Sequence, residues 1–316
     1  MTLPDWWRRR LKLPLIAAPM FLISGPDLVI AACKAGATGC FPTPNARDTA
    51  ILEQWLARIS SEVTEADAPW AVNLVVHRTN NRLEADLALC ERYRAPIVIT
   101  ALGSPQAVID RVHGWGGIVL ADVNSVKFAA RAAALGVDGL VLVGAGAGGH
   151  TGPMAGFAFV PAVREFFDGI IVLGGGITTG GGIAAAEALD ADMAAMGTRF
   201  IATRESLASD AYRDMLVAST IDDLVLSRGI TGVPANWLRP SIEAAGLDLA
   251  KLEADVVIDF TDPKGDARRW TQTWSAGHGV GAIKKVESAG DLIADLGAQY
   301  REALKRLSQT TSGEAT

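Results

Sequence analysis

Short apolar runs alternate with amphipathic, alanine-rich stretches through the first two hundred residues of the chain. Most of the runs lack the apolar–polar alternation of a strand with one exposed face, which is typical of parallel strands buried on both faces. The stretches between them predict helices, such as Val126–Leu135, which Gly136 ends. The runs predict eight strands: Leu15–Pro19, Thr38–Phe41, Ala71–Val76, Pro96–Thr100, Gly117–Ala121, Gly139–Val143, Ile170–Gly174 and Met193–Gly197.

A repeated strand–helix unit with short connections favours either a (β/α)8 barrel or a doubly wound sheet. A doubly wound sheet normally carries its glycine-rich phosphate loop after the first strand. Here Met20-Phe21-Leu22 follows that strand, and the glycine clusters come after the seventh and eighth. Chemically distinctive residues also gather at strand ends, including Asn73 and His150. Because the carboxyl ends of barrel strands share one mouth, the pattern predicts an α/β fold of the (β/α)8 TIM-barrel type.

After about Ser209 the strand–helix repeat stops. We predict a barrel core over residues 1–209 and a C-terminal cap over residues 210–316 that packs beside the barrel mouth. The expected elements of this cap are a helix over Ala211–Ser219, a strand over Ile221–Leu226, a helical segment over Asn236–Ala254, a loop over Trp270–Gly279 and a helix over Ser288–Leu307, with a frayed tail from Ser308. Pro240-Ser241 is the expected start of the second helix.

Composition narrows the class of protein. Hydrophobic residues make up 49% and charged residues 20% of the 316 positions, as in a well-packed soluble enzyme. The net charge of −6 includes no basic tract, so nucleic acid is not an expected partner. The apolar runs are too short to cross a bilayer, and no signal peptide opens the chain. Three cysteines without CxxC spacing indicate neither disulfides nor a metal site, which together predicts a cytoplasmic protein.

The segment Gly144–Gly152 follows the sixth predicted strand and carries five glycines in nine residues. Glycines strip side chains from the strand end, so a flat ligand could lie against bare backbone. His150 is the single titratable side chain in this segment. Its ordinary pKa near the working pH suits acid or base chemistry, and we predict that it is catalytic.

A second glycine cluster, Leu173–Gly182, follows the seventh predicted strand and leads into a predicted helix over Ile183–Leu189. The eighth strand ends in Met196-Gly197-Thr198-Arg199. Loops after strands seven and eight form the usual phosphate site of a TIM barrel, and free N–H groups at a helix start bind phosphate. The glycines could instead only form tight turns. No Gly-Lys-Ser/Thr follows them, so a Walker A site for ATP is not indicated.

Taken together, these motifs resemble the flavin-dependent nitronate monooxygenases, formerly called 2-nitropropane dioxygenases. The matching segments are Pro14–Met20, Val72-Asn73-Leu74, Ala147–His150, Gly175-Gly176-Ile177, Met196–Phe200, Gly232–Asn236 and Ser275–Gly281. The resemblance implies an FMN-binding TIM barrel with the isoalloxazine ring over the mouth. It implies that His150 is the active-site histidine and that the cofactor contacts are Met20, Asn73, Gly148, Gly149, Gly175, Gly176, Gly197 and Thr198.

Two positions depart from the pattern of this family. Asp122 stands where many relatives carry a flavin-contacting lysine, and His278 stands where they commonly have glutamine. An ionised Asp122 near the cofactor would disfavour an anionic reduced flavin. His278 would contact substrate if the late loop folds over the barrel mouth. We therefore count Asp122 among the expected cofactor-binding residues and His278 as a candidate substrate contact.

The activity implied is oxidation of an alkyl nitronate or nitroalkane by FMN and O2 to a carbonyl compound and nitrite. His150 could stabilise the anionic nitronate as imidazolium, or take a proton from a nitroalkane as imidazole. Enoyl-acyl-carrier-protein reductases and quinone reductases that use FMN and NAD(P)H share these motifs and stay open as alternatives. A flavin-free aldolase or isomerase would need a Schiff-base lysine or a carboxylate at a strand end, and no lysine of this chain ends a central predicted strand. A non-catalytic binding protein is the third alternative, and the isolated imidazole of His150 at the barrel mouth argues against it. The oligomeric state stays open.

Overall fold

The computed structural model describes residues 2–248 and 273–312. Its strands are β1 Leu15–Ala17, β2 Thr38–Pro42, β3 Ala71–Val75, β4 Ile97–Ala101, β5 Ile118–Val123, β6 Gly139–Val143, β7 Gly149–His150, β8 Ile170–Gly174, β9 Met193–Met196, β10 Leu224–Ser227 and β11 Ala235–Leu238. Its α-helices are Asp5–Arg8, Pro26–Ala35, Thr49–Glu62, Leu83–Arg92, Ile109–Gly114, Val126–Ala134, Gly156–Arg164, Gly180–Ala188, Thr198–Ile201, Asp210–Ala218, Arg239–Ala244 and Ala289–Ser312.

Eight parallel strands close into a barrel in the order β1-β2-β3-β4-β5-β6-β8-β9. The closure lies between the first and last of them, where Leu15 is opposite Ala194. Helices follow the strands, as the alternating pattern predicts, and all eight predicted strands are present with ends shifted by at most two residues. The (β/α)8 TIM barrel is confirmed.

Two layers of apolar side chains hold the barrel together. Inward-facing residues from every barrel strand, such as Ile16, Leu120 and Val172, fill its interior. Trp7 packs with this inner cluster, and its indole Nε1 donates to Thr38 Oγ1 at 2.8 Å. A larger cluster between the strands and the surrounding helices buries the outer faces. Burial on both faces explains why the strands appear in the sequence as unbroken apolar runs.

Local signals place the helices that return the chain to the next strand. Asp48, Ser125 and Thr179 each cap a helix by accepting a backbone N–H two or three residues into it. Gly36, at φ +99°, ends Pro26–Ala35 in the left-handed conformation that glycine tolerates best. Helix Gly180–Ala188 begins earlier than the predicted Ile183, so three glycines lie in its first turn.

The chain after residue 209 differs from the prediction in one main respect. Residues 235–238 of the segment expected to be helical form β11, which pairs with β10 and with β7. Helix Arg239–Ala244 follows directly and begins within one residue of the start expected at Pro240-Ser241. Trp237 is fully buried on β11, and pairing with the barrel-mouth loop outweighs local helix propensity. Residues 249–254 of that expected helix, and Trp270, lie outside the described residues.

The other expected elements of this segment are present with shifted ends. Helix Asp210–Ala218 matches its prediction to within one residue. The predicted strand over Ile221–Leu226 begins later, at Leu224, because Thr220 and Asp223 close a capping turn before it. The C-terminal helix continues to Ser312, past the expected fray at Ser308. The proposed division of the chain at residue 209 stays a prediction.

The structure was searched for membrane-spanning helices, metal-ligand groups and disulfide bonds. Among the described residues, no helix is long and apolar enough to cross a membrane. Within residues 2–248 and 273–312, no group of three His, Cys, Asp or Glu side chains is arranged to hold a metal ion. Cys33, Cys40 and Cys90 are buried free thiols.

Candidate active site

The loop after β6, residues 144–149, contains only glycine and alanine and folds back toward the end of that strand. Gly146 and Gly149 have φ values of +86° and +66°, which glycine adopts without the strain other residues incur. Ala145 N–H donates to Met154 O at 2.6 Å, and Thr151 Oγ1 donates to Gly144 O at 3.2 Å. These bonds hold the loop against the end of β6 with little side-chain bulk along it.

His150 is held by strand pairing rather than by an isolated loop. It lies opposite Ala235 of β11, and Gly149 lies opposite Asn236. The Asn236 side chain also donates to Ala147 O at 2.8 Å, so β11 fixes both the glycines and the histidine. The sequence analysis missed Asn236, although it stands in the Gly232–Asn236 segment of the resemblance.

Burial sets the protonation state of this histidine. Desolvation disfavours the imidazolium and lowers the pKa of His150 to about 4. The ring is therefore neutral at pH 7, with one nitrogen as a proton donor and the other as an acceptor. Of the two roles left open from sequence, the geometry suits the neutral imidazole.

The loop after β8 packs against the loop after β6. Gly175 has φ +118°, and a Cβ on it would lie 2.8 Å from Gly144 O, so only glycine fits. Gly176 N–H donates to Gly146 O at 3.2 Å. A Cβ on Gly176 would meet only Ala145 O, at 4.0 Å, so the space beside this residue is open. The two glycine clusters thus form one continuous surface, here called the glycine bed: residues 144–149 and 174–176.

Thr198 joins the glycine bed to the late loop. Its Oγ1 accepts the Gly277 N–H at 2.9 Å, which leaves the hydroxyl hydrogen for another acceptor. A Cβ on Gly148 would lie 2.6 Å from Gly277 N and 2.9 Å from Thr198 Oγ1. The three predicted positions Gly148, Gly197 and Thr198 therefore meet within one contact region.

Met20 reaches this region from the end of β1. Its Sδ is 3.3 Å from where a Cβ on Gly197 would stand. The side chain of Asn45 fixes the Met20 loop by donating to Met20 O at 2.9 Å and to Ser24 O at 2.7 Å. Asn45 also accepts the Leu22 N–H at 2.7 Å, where the backbone is left-handed at φ +62°. The sequence analysis missed Asn45, whose only signal is its place after the second strand.

Asn73 and Asp122 lie together on the barrel floor. Asp122 was expected after the fifth strand, but β5 extends to Val123 and carries the carboxyl inside the mouth. Asn73 Nδ2 donates to Asp122 Oδ2 at 3.5 Å. Burial raises the pKa of Asp122 to about 7, and this hydrogen bond opposes the shift only weakly. Near neutral pH the floor therefore holds a carboxyl that is readily protonated, where a lysine would hold a positive charge.

His278 lies on the late loop, which contacts the glycine bed. Its N–H donates to Gly146 O at 2.9 Å, and its Nδ1 is 2.8 Å from where a Cβ on Gly146 would stand. Tyr212 anchors this loop by donating to Ser275 O at 2.5 Å and stacking on Trp274 with ring centroids 4.9 Å apart. The imidazole of His278 is solvent-exposed, so a substrate role for it stays a prediction.

The other two histidines lie elsewhere. His113 pairs with Asp138 at 2.9 Å and is exposed on a helix that precedes a strand, at the far end from the mouth. His77 follows β3 and lines an open cavity with Arg78.

The residues present fit a flat, phosphate-bearing cofactor. The bed offers side-chain-free backbone, the open space beside Gly176 accepts a group that a Cβ would obstruct, and Thr198 has a hydroxyl donor available. This donor set of backbone N–H and hydroxyl groups suits phosphate oxygens. The polar pair Asn73 and Asp122 stands at the floor where a ring over the mouth would lie.

Comparisons with known proteins were made against this geometry. The nitronate monooxygenase family profile matches residues 42–299. A nitronate monooxygenase of Metarhizium robertsii is 33% identical, with 93% of this chain and 92% of that protein aligned. The nitroalkane oxidase structure from Streptomyces ansochromogenes superposes with a TM-score of 0.79 at 26% identity, covering 96% of this chain and all of that one.

A further relative is named for a different substrate. A (3aS,4S,5R,7aS)-5-hydroxy-7a-methyl-1-oxo-octahydro-1H-indene-4-carboxyl-CoA dehydrogenase of Rhodococcus jostii is 31% identical over 72% of this chain. The aligned part of this chain spans 63% of that protein's length, which is less than two thirds. The family profile nevertheless covers most of the chain, and the barrel and its motifs agree with it. The chain belongs to the nitronate monooxygenase family.

Proposed function

We propose that this protein binds FMN and oxidises alkyl nitronates with O2 to a carbonyl compound and nitrite. The observation that carries the proposal is a neutral imidazole, His150, in a glycine bed at the mouth of a barrel of this family. FMN, when bound, supplies the electron-accepting chemistry that the side chains lack.

The residues that would hold FMN fall into two groups. Gly175, Gly176, Gly197 and Thr198 would take the phosphate, because the space beside Gly176 is open and the hydroxyl hydrogen of Thr198 is available to an acceptor. Gly148 and Gly149 would allow close approach of the ring, while Met20, Asn73 and Asp122 would lie against it. No charged side chain is needed for the phosphate in this arrangement.

His150 would accept a proton from a nitroalkane substrate or donate a hydrogen bond to a nitronate substrate. As a neutral base it can take the α-proton of a nitroalkane on its unprotonated ring nitrogen. Toward a nitronate that is already anionic, its ring N–H can donate a hydrogen bond to a nitro oxygen. The base role requires the imidazole to be neutral, and desolvation, which lowers its pKa to about 4, favours that form above about pH 5.

Asp122 would act on the charge at the barrel floor. In its protonated form the carboxyl can donate a hydrogen bond, while in its ionised form it places a negative charge beside the ring. The pKa of about 7 lets both forms exist at neutral pH. This differs from a lysine at the same position, which stays cationic.

Anaerobic mixing of the FMN-loaded protein tests the proposal. We expect propyl-2-nitronate to remove the yellow flavin absorbance promptly, and nitrite to accumulate when oxygen is admitted. NADH and NADPH serve as parallel arms. Rapid loss of colour with either nicotinamide and none with the nitronate would overturn the proposal in favour of an NAD(P)H-dependent reductase. A preparation that retains no flavin would overturn the cofactor assignment.

A second candidate is oxidation or reduction of a large thioester. It is favoured by the 31% identity to the carboxyl-CoA dehydrogenase of Rhodococcus jostii. An acyl-CoA substrate included in the same anaerobic series distinguishes this candidate, because colour loss would then depend on the thioester.

A further inference from the structure

An open cavity of about 610 Å³ lies outside the site described so far. It is lined by residues that follow β3, namely Val76, His77 and Arg78, and by residues that follow β4, namely Gly103, Ser104, Gln106 and Ala107. Both sets of residues lie at carboxyl ends of barrel strands, so the cavity opens on the same rim as the candidate active site.

The barrel order fixes where this cavity lies relative to the glycine bed. In the ring β1-β2-β3-β4-β5-β6-β8-β9, the gap between β3 and β4 is four strands away from the gap between β8 and β9. These are opposite sides of an eight-stranded barrel. The cavity therefore lies across the mouth from the loops that would hold a phosphate of the cofactor, where a substrate could extend beyond the ring.

An exposed arginine, Arg78, marks this side of the rim. Within residues 2–248 and 273–312, no carboxylate forms an ion pair with the exposed Arg78. Its basic neighbours are paired: Arg82 contacts Asp86 at 3.0 Å, and Arg111 contacts Glu84 at 2.5 Å and Glu91 at 2.6 Å. An arginine left without a carboxylate beside a cavity is suited to bind an oxyanion through its planar fork of donors.

The rest of the lining combines apolar and hydrogen-bonding groups. Val76 and Ala107 supply apolar surface, whereas Ser104 and Gln106 supply polar side chains. The His77 Nδ1 lies 2.8 Å from Thr79 Oγ1, and this hydrogen bond holds the imidazole at the cavity wall.

The backbone next to the cavity is held in an unusual conformation. Leu102 is left-handed at φ +62°, a conformation that is strained for a residue with a branched side chain. It precedes Gly103, where a Cβ would lie 2.6 Å from Val76 O. The two loops are thus packed closely, and the cavity wall is fixed by backbone contact rather than by mobile side chains.

We propose that this cavity is a subsite for the oxyanion end of an extended substrate, a carboxylate or a phosphate joined by an apolar chain to the reacting group. Arg78 binds the oxyanion, and Val76 and Ala107 contact the chain. The subsite binds such a ligand whether or not the nitronate chemistry is correct. That the ligand is the enzyme's substrate rests on the proposed function.

The test measures binding to the FMN-saturated protein by calorimetry. The probes are hexyl phosphate, hexanoate and uncharged hexanol, and the variant is Arg78→Gln. Arg131→Gln is the control, because Arg131 is an exposed arginine on an outer helix, beside Phe128. We expect at least one of the two anions to bind, hexanol to bind more weakly, and Arg78→Gln to weaken anion binding about fivefold, as for a solvent-accessible ion pair. The control variant should match the wild type.

The arms separate the possible results. Binding of hexyl phosphate alone identifies a phosphate subsite, and binding of both anions identifies a general oxyanion subsite. Equal binding of hexanol, no binding of either anion, or an effect of Arg131→Gln equal to that of Arg78→Gln would overturn the proposal. Nitrite release from propyl-2-nitronate by the wild-type protein is measured in parallel. Its absence from the wild type would overturn the proposed function and leave the binding result standing.

Discussion

The half of the barrel mouth formed by β6, β8 and β9 presents mainly backbone, whereas the half formed by β3, β4 and β5 presents side chains. On the first half, Gly148, Gly175 and Gly176 form a surface from which even a Cβ is absent. On the second half, Asn73 and Asp122 occupy the floor and Arg78 stands on the rim. The same fold thus carries two kinds of ligand surface on opposite sides.

The two halves of the barrel mouth differ in how they could recognise a ligand: the first by its shape and the second by its charge. A backbone surface recognises a ligand through its flatness and through fixed N–H donors, so most substitutions there obstruct it. A side-chain surface recognises a ligand through ionisable and polar groups, and these can change while the strands stay in place. We therefore expect the cofactor to be held by the first half and the reaction conditions and substrate range to be set by the second.

The substitution Asp122→Asn tests the side-chain half through stability. The folded pKa of Asp122, about 7, is above the usual value of 3.8, so folding favours the protonated form. As pH rises from 4 to 7 the unfolded chain releases this proton while the folded chain retains it, and wild-type stability falls. Asn cannot ionise, so the variant gains stability relative to wild type by up to about 2–4 kcal/mol between pH 4 and pH 8.

Urea unfolding at pH 4, 6 and 8 measures this difference. All other titratable groups are the same in both proteins. The effect of Asp122 is therefore the difference between the unfolding free energies of the variant and the wild type at each pH. Asp168→Asn is the control, since this carboxylate is exposed in the loop before β8. The stability difference for the control should not change with pH. Parallel curves for Asp122→Asn and wild type would mean that the carboxyl is not desolvated.

The substitution Gly176→Val tests the backbone half through cofactor affinity. The valine side chain would enter the open space beside Gly176, where the proposed phosphate would lie. Overpacking of this kind costs about 1–3 kcal/mol, so we expect FMN to bind roughly 30-fold more weakly. Fluorescence titration of released FMN measures the affinity.

Gly246→Val is a matched control for this backbone conformation. Both glycines have φ +69°, and a Cβ on Gly246 would meet nothing within 4 Å. The two variants therefore share the strain of a left-handed β-branched residue, and only one obstructs the glycine bed. Equal loss of FMN in both would attribute the effect to backbone strain and not to the site.

Most strands and helices of the barrel could be predicted, because the features that determine them are visible within short stretches of the sequence. Strands buried on both faces leave unbroken apolar runs, and side chains such as Asp48 and Ser125 mark the helix starts. The glycine bed could also be predicted, since clustered glycines at strand ends are visible in the sequence. The chain order of the barrel then brought Gly148, Gly175 and Thr198 to one place.

Other features depend on contacts between distant segments. Asn236 lies in a strand because β11 pairs with β10 and β7. The residues adjacent to Asn236 in the sequence carry no pattern that predicts this pairing. Asn45 acts through hydrogen bonds to the Met20 loop, more than twenty residues away. The desolvation of Asp122 and the cavity beside Arg78 likewise arise from how loops meet. Single-sequence patterns do not carry such information.

The substitution His150→Asn tests the partly buried histidine on the backbone half. Asparagine keeps the polarity and the strand pairing opposite Ala235 but cannot take a proton at neutral pH. We expect FMN to stay bound and turnover of a neutral nitroalkane to fall at least about tenfold, as loss of a positioned base usually causes. Turnover of a preformed nitronate should fall less, because only a hydrogen bond to its oxygen is lost. Nitrite release with both substrates gives the comparison.

The pH profile sharpens this test. In the wild type, kcat/KM for the nitroalkane should fall below about pH 5, because the imidazole with its pKa of about 4 becomes protonated and can no longer act as a base. The variant should lack this acid limb. His113→Asn is the control, since its imidazole is exposed at the other end of the barrel and paired with Asp138. If His150→Asn keeps wild-type turnover, or keeps the acid limb, the base lies elsewhere, and Asp122 on the opposite half becomes the group to test.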